Sequence, residues 1–92
     1  MVKKDLIRAV AENTGLNNDI VVTVIENTMD AIKQALINDE PLYLRGFGSF
    51  QNKHRKARPG RNFKAKSTVM VPERKVPIFY PCKELKNNVN KQ

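Results

Sequence analysis

Apolar positions recur at helical spacing through the first third of the chain and then change period. Leu6, Ile7, Val10, Ala11 and Thr14 fall on one face of a helix, the spacing of an amphipathic segment with one side turned inward. Asp5 lies in the first turn, where the helix dipole favours an acid. Gly15 follows as the natural stop. Asn17 is placed to cap a second helix, with Asp19 just inside it, and that helix is expected to run to about Ile37. Its stripe is Val21, Val24, Ile25, Thr28, Ala31, Ile32, Ala35 and Leu36, while Ile20, Val22, Met29 and Ile37 add apolar surface beside it. One short first helix cannot cover all of that surface. The chain's own sheet must bury part of it, and a second chain is the expected cover for the rest.

After Asn38-Asp39-Glu40-Pro41 the period becomes two. Leu42–Arg45 reads as a short strand, Gly46-Phe47-Gly48 as a tight turn, and Ser49-Phe50 as the start of another strand. The apolar signal then fades: between Phe50 and Val69 the apolar residues are Ala57, Phe63 and Ala65. His54, Lys56 and Arg58 occupy one parity there, and Lys53, Arg55 and Arg61 the other. A strand with neither face apolar cannot lie on a core, so this stretch is expected to protrude. Thr68–Pro72 resumes strand character and Val76–Tyr80 returns to the core. The pattern predicts a long hairpin with its outer half in solvent; at ~3.3 Å per residue, Gln51 to Phe63 reaches roughly 40 Å. Pro81 opens a short helix with Cys82, Leu85 and Val89 on one face. No repeat or linker divides the chain. The expectation is one α+β domain, with a helical base of two helices at 1–40, a three-stranded antiparallel sheet with its protruding hairpin arm at 41–81 and a short C-terminal helix at 82–92.

Charge sharpens this division. The 92 residues carry 17 Lys and Arg against 9 Asp and Glu, a net +8. Residues 1–44 hold four bases and seven acids, a net −3; residues 45–92 hold 13 bases and two acids, a net +11. Within 53–66, seven of 14 residues are Lys or Arg and none is acidic. A solvated basic loop is the plain alternative, but the asymmetry between halves favours a scaffold joined to a surface for polyanions, nucleic acid before membrane. No apolar run approaches the length of a membrane span. The N-terminus lacks the apolar block of a signal peptide, so an intracellular location is expected.

Candidate chemistry is sparse. The chain has one His, His54, and one Cys, Cys82, too few for a zinc site. The carboxylates are scattered, and no nucleophile elbow, dinucleotide fingerprint or phosphate loop occurs. No catalytic residue, metal or cofactor is expected, and no small-molecule substrate. A nuclease is disfavoured by the lack of clustered carboxylates.

Arg45-Gly46-Phe47-Gly48-Ser49-Phe50, His54-Arg55, Arg58, Gly60-Arg61-Asn62, Val76-Pro77-x-Phe79 and Lys83-x-Leu85-Lys86 together resemble, in order and spacing, the HU/IHF family of bacterial histone-like DNA-binding proteins. The resemblance covers essentially the whole chain without an insertion. It implies an intertwined dimer, of identical or paralogous subunits, whose helices form a base and whose paired β-arms clasp the minor groove and bend the duplex. Three residues depart from the family pattern. Phe63 stands where the family usually has the proline that wedges between base pairs, and aromatic wedges serve that role elsewhere. Lys66 replaces a tip glycine, removing an easy positive-φ position. Cys82 replaces a small residue; a buried thiol packs like a small hydrophobe, so it is read as packing, with a redox role as the alternative.

The expected roles follow. Lys53, Arg55, Lys56, Arg58, Arg61, Asn62, Lys64 and Lys66 form the DNA-binding arm. Arginines suit phosphates and narrow A·T-rich minor grooves, and Asn62 suits minor-groove base edges. Phe63 is the intercalating wedge. The resemblance places Lys3, Arg45, Lys83 and Lys86 on the body as outer phosphate contacts. Phe47, Phe50 and Phe79 are assigned to the dimer core rather than to stacking on bases. His54 is not expected to be a ligand. The reading is an architectural protein of the bacterial nucleoid with double-stranded DNA, bent or distorted DNA favoured, as its partner and weak sequence preference. An RNA-binding or ribosome-associated basic protein is the alternative.

Overall fold

A computed structural model describes residues 1–62 and 67–91, with the backbone alone for 58–62 and 67–71. Two compact units divide the chain, Met1–Ala35 and Leu36–Gln92.

The first unit holds helix α1, Lys3–Thr14, and most of helix α2, Asn18–Ile37. Val2 is the N-cap of α1, and its backbone N–H donates to Asp5 Oδ2 at 2.9 Å, so the first-turn acid expected for the dipole also satisfies a backbone donor. Gly15 ends the helix at φ 73°, with its N–H on the Ala11 carbonyl at 2.8 Å. Asn17 Oδ1 accepts from the Asp19 N–H at 2.8 Å, which starts α2 as its sequence predicts.

The α2 stripe is only partly covered. Val21 is buried, and Ile25, Ile32, Ala35 and Leu36 are half-buried, whereas Thr28 and Ala31 are exposed and Val24 keeps 56% of its surface. Ile20 at 51% continues that open ridge. Among the residues whose side chains are described, Val21 and Ser49 alone are buried. A chain of this length with so little closed core lacks part of the burial that ordinarily balances chain entropy.

The second unit is built on a three-stranded antiparallel sheet of order β1-β2-β5, with β1 at Leu42–Leu44, β2 at Gly48–Arg55 and β5 at Arg74–Pro81. Gly46, at φ 79°, supplies the turn between β1 and β2, closed by the Phe47 N–H on the Leu44 carbonyl at 3.0 Å. Strand alternation gives the sheet two faces. Leu42, Phe50 and Phe79 share one; Tyr43, Ser49 and Tyr80 share the other. On the first, the Phe79 ring lies 5.0 Å from Phe50 and 5.1 Å from Phe47, tilted at 42° and 39°, a geometry that aromatic pairs favour.

Beyond Arg55 the hairpin continues as a second ladder, β3 (Arg58–Asn62) with β4 (Ser67–Val71). Arg55 pairs with Arg74 and Arg58 with Val71, so one register runs through both ladders. The break at 56–57 against 72–73 contains Pro72, which has no N–H to give the ladder. The long hairpin expected from the loss of apolar positions is thus present. Helix α3 spans Lys83–Val89, starting one residue after the boundary expected from the sequence. Cys82 lies outside it as the N-cap, its Sγ accepting from the Leu85 N–H at 3.3 Å. The thiol is half-buried, and it serves as a cap besides packing. No helix among the described residues is long and apolar enough to cross a membrane.

Candidate nucleic-acid interface

The basic surface grows out of the sheet. Lys53 and Arg55 are exposed on the face of β2 that carries Ser49, while Lys56 is exposed in the break beyond it. Arg55 lies directly opposite Arg74, and Lys53 opposite Val76. Two like charges facing each other across an antiparallel pair oppose pairing. Among the described residues, the ion pairs join Lys3 to Glu26 and His54 to Asp39, so neither Arg55 nor Arg74 is ion-paired there. A polyanion laid along this face would offset both.

Arg58, Arg61 and Asn62 follow on β3, with Val71, Thr68 and Ser67 as their backbone partners. Phe63, Lys64 and Lys66, the expected wedge and two arm bases, lie outside the described residues. On the second unit's body, Arg45 is exposed in the β1–β2 turn, and Lys83 and Lys86 are exposed on α3. In the first unit, Lys3 opens α1 with half its side chain exposed, 3.9 Å from Glu26 Oε1. That distance marks a weak surface pair which a phosphate can displace. Phe47, Phe50 and Phe79 come together as one cluster, with Phe47 still 47% exposed.

Four polar residues here are not singled out by the sequence pattern. Arg74 and Lys75 sit beyond the basic run of 53–66 and belong to the arm only through the register, which sets them opposite Arg55 and His54. The hairpin pairing is their only signal. Asp39 and Asn52 are the others: Asn52 Nδ2 donates to the Leu36 carbonyl at 2.7 Å and to Asp39 Oδ1 at 3.1 Å. The Asn52 hydrogen bond outweighs an opposing desolvation and, with the nearby His54 and Lys75, holds the Asp39 carboxyl below its ordinary value of 3.8. No spacing rule reveals such a pair, because its members meet only across the turn.

A family model described as "Bacterial DNA-binding protein" matches residues 1–90. The chain is 38% identical over 89 residues to DNA-binding protein HU of Thermotoga maritima, covering 97% of this chain and 99% of the relative. It is 40% identical over 90 residues to DNA-binding protein HRL53 of Rhizobium leguminosarum, covering 98% and 99%. Among solved structures, Anabaena HU in a cocrystal with DNA superposes over 100% of both chains, with a TM-score of 0.91 and 33% identity. A mutant of Thermotoga maritima HU covers 98% of this chain and 100% of that one, with a TM-score of 0.74 and 33% identity.

Proposed function

Because the chain belongs to the family of bacterial DNA-binding proteins, we propose that it is an architectural protein that binds duplex DNA, bends it and organises the nucleoid. The observation that carries this reading is the arm root: Arg55 faces Arg74 across the hairpin, Lys53 shares their face, and none of the three is ion-paired with a carboxylate among the described residues. The like charges on such a surface oppose one another, and a polyanion lying on it offsets them.

Arg55, Arg58, Arg61, Lys53 and Lys56, with Lys64 and Lys66, contact phosphates or the minor groove, and Asn62 contacts base edges. These are position-finding contacts with little sequence content. Arg74 and Lys75 join them from the returning strand. Phe63 inserts between base pairs, and the bent duplex then reaches Lys3, Arg45, Lys83 and Lys86. Unstacking costs a few kcal/mol per step, offset by the added phosphate contacts. The role is binding and bending, without catalysis, in the bacterial cytoplasm.

The functional unit is a dimer, of identical or paralogous chains. The open ridge of Ile20, Val24, Thr28 and Ala31 and the exposed edge of the Phe47–Phe50–Phe79 cluster support this, since apolar surface of this extent belongs at an interface. Mass measurement of the protein alone and with a ~30 bp duplex tests the whole reading. Two chains on one duplex are expected, with structured RNA a weaker competitor than duplex DNA. A monomeric complex, or preferential capture by RNA, overturns it.

A further inference from the structure

Asp39 is the one non-glycine residue with positive φ, 57°, among the described residues. Aspartate tolerates this left-handed backbone better than most residues, but at a cost that the surroundings must sustain. What surrounds it is strand β2. Asp39 Oδ1 accepts from Asn52 Nδ2 at 3.1 Å, and Oδ2 lies 3.2 Å from His54 Nε2. A carboxylate only accepts, so Nε2 donates. The same Asn52 amide reaches the Leu36 carbonyl at 2.7 Å, one of the last-turn carbonyls a helix leaves without an intrahelical partner. Asn52 and His54 share one face of β2 and are the last two residues on it before the strand ends at Arg55. Lys75, opposite His54, brings a further positive charge towards the same carboxylate. Glu40, next in the chain, is exposed.

We propose that Asp39 is a positioning residue for the DNA-binding arm, tying the root of the hairpin to the turn after α2 through Asn52 and His54. The consequence for DNA rests on the function proposed above; the tie itself does not. Just past His54 the ladder breaks opposite Pro72, so the arm's direction is set where it is last anchored. From Arg55 to Asn62 the arm extends roughly 25 Å at ~3.3 Å per residue. A tilt of about 10° at the root therefore moves Asn62 by about 4 Å, against a minor groove about 6 Å wide. Charge alone argues for the opposite role. An acid beside a phosphate path repels DNA, so its removal would strengthen binding and leave bending unchanged. Positioning instead requires that its removal weaken bending.

The experiment uses the full chain, two single variants and the double variant. Asp39→Gly removes the carboxylate while relieving the positive φ, so the turn and fold are retained; Asn52→Ala removes the other partner. Amide hydrogen exchange is read without DNA, and bending of a ~30 bp duplex by end-to-end energy transfer. Exchange at residues 52–55 and 74–76 should rise several-fold in either variant, with α1 unchanged. The double variant should add little, because both substitutions break one network. The excess protection of wild type over Asp39→Gly should persist above pH 3.8 and vanish as pH falls through the lowered value of Asp39. Bending should decrease in both variants. Wild-type exchange at the arm root in Asp39→Gly, or protection that survives acid, overturns the tie. Raised exchange with unchanged bending overturns its role in DNA binding. Raised exchange in a protein whose wild type binds no duplex leaves the tie standing and refutes the DNA reading instead.

Discussion

Gly48→Ala probes the sheet where backbone and ring approach most closely. A Cβ at Gly48 would lie 2.7 Å from Phe79 Cε1 and 2.8 Å from Cζ, and nearer still to the Tyr80 carbonyl oxygen. Ordinary contacts begin near 3.4 Å, so β2 and β5 must part at the Tyr80 carbonyl and the Phe79 ring must move as well. Moving the ring disturbs its packing on both Phe47 and Phe50. Overpacking of this kind costs about 1–3 kcal/mol, and each disturbed aromatic pair about 0.5–1.5 kcal/mol more. A total of about 3 kcal/mol is expected. With a urea dependence of about 1–3 kcal/mol per molar, the unfolding midpoint should fall by about 1–3 M. The comparison must be made at one fixed chain concentration, since dissociation and unfolding are linked in a dimer. Gly46→Ala is the control. That site has φ 79° and open space around the added carbon, so only the left-handed penalty of about 1–2 kcal/mol applies. A second control is Phe79→Leu in the Gly48→Ala background. The nearest atom to the new carbon is a backbone oxygen, so shaving the ring should not restore stability. A midpoint for Gly48→Ala at or above that of Gly46→Ala, or full rescue by Phe79→Leu, would refute the reasoning.

Three further outcomes are expected. If the arm and body neutralise about six or more phosphates, duplex affinity should fall by about 10³-fold or more between about 50 and 200 mM salt; a nearly flat dependence contradicts backbone-dominated binding. Phe63→Ala should weaken binding and bending of linear duplex but matter less on pre-bent or nicked DNA, whereas Arg58→Ala should weaken both alike, because phosphate attraction is indifferent to shape. Equal effects of Phe63→Ala on the two DNAs sink the wedge assignment. The unfolding midpoint should rise with chain concentration across a hundredfold range, and Val24→Asp, on the open α2 ridge, should lower it by charging an interface; a concentration-independent midpoint removes the dimer.

The elements themselves were legible in the sequence because each rests on local chemistry. Gly15 marks the end of α1 through its positive φ, Asn17 starts α2 through its side-chain oxygen, and the loss of apolar residues on both parities after Phe50 leaves a strand no core to lie on. The basic run marks the arm for the same reason, since charge needs no partner to be read. The hairpin was legible, but its register was not, and register decides the rest. The register that brings Arg74 against Arg55 and Lys75 against His54 joins positions about twenty residues apart, and strand periodicity is silent about which residue meets which. Cys82 reads in sequence as a small hydrophobe, but the placement of α3 makes it a cap. Asp39 reads as one more turn residue. Only the fold sets its two oxygens against Asn52 and His54, because a contact between a turn and a strand is a property of the closed chain and of no segment within it.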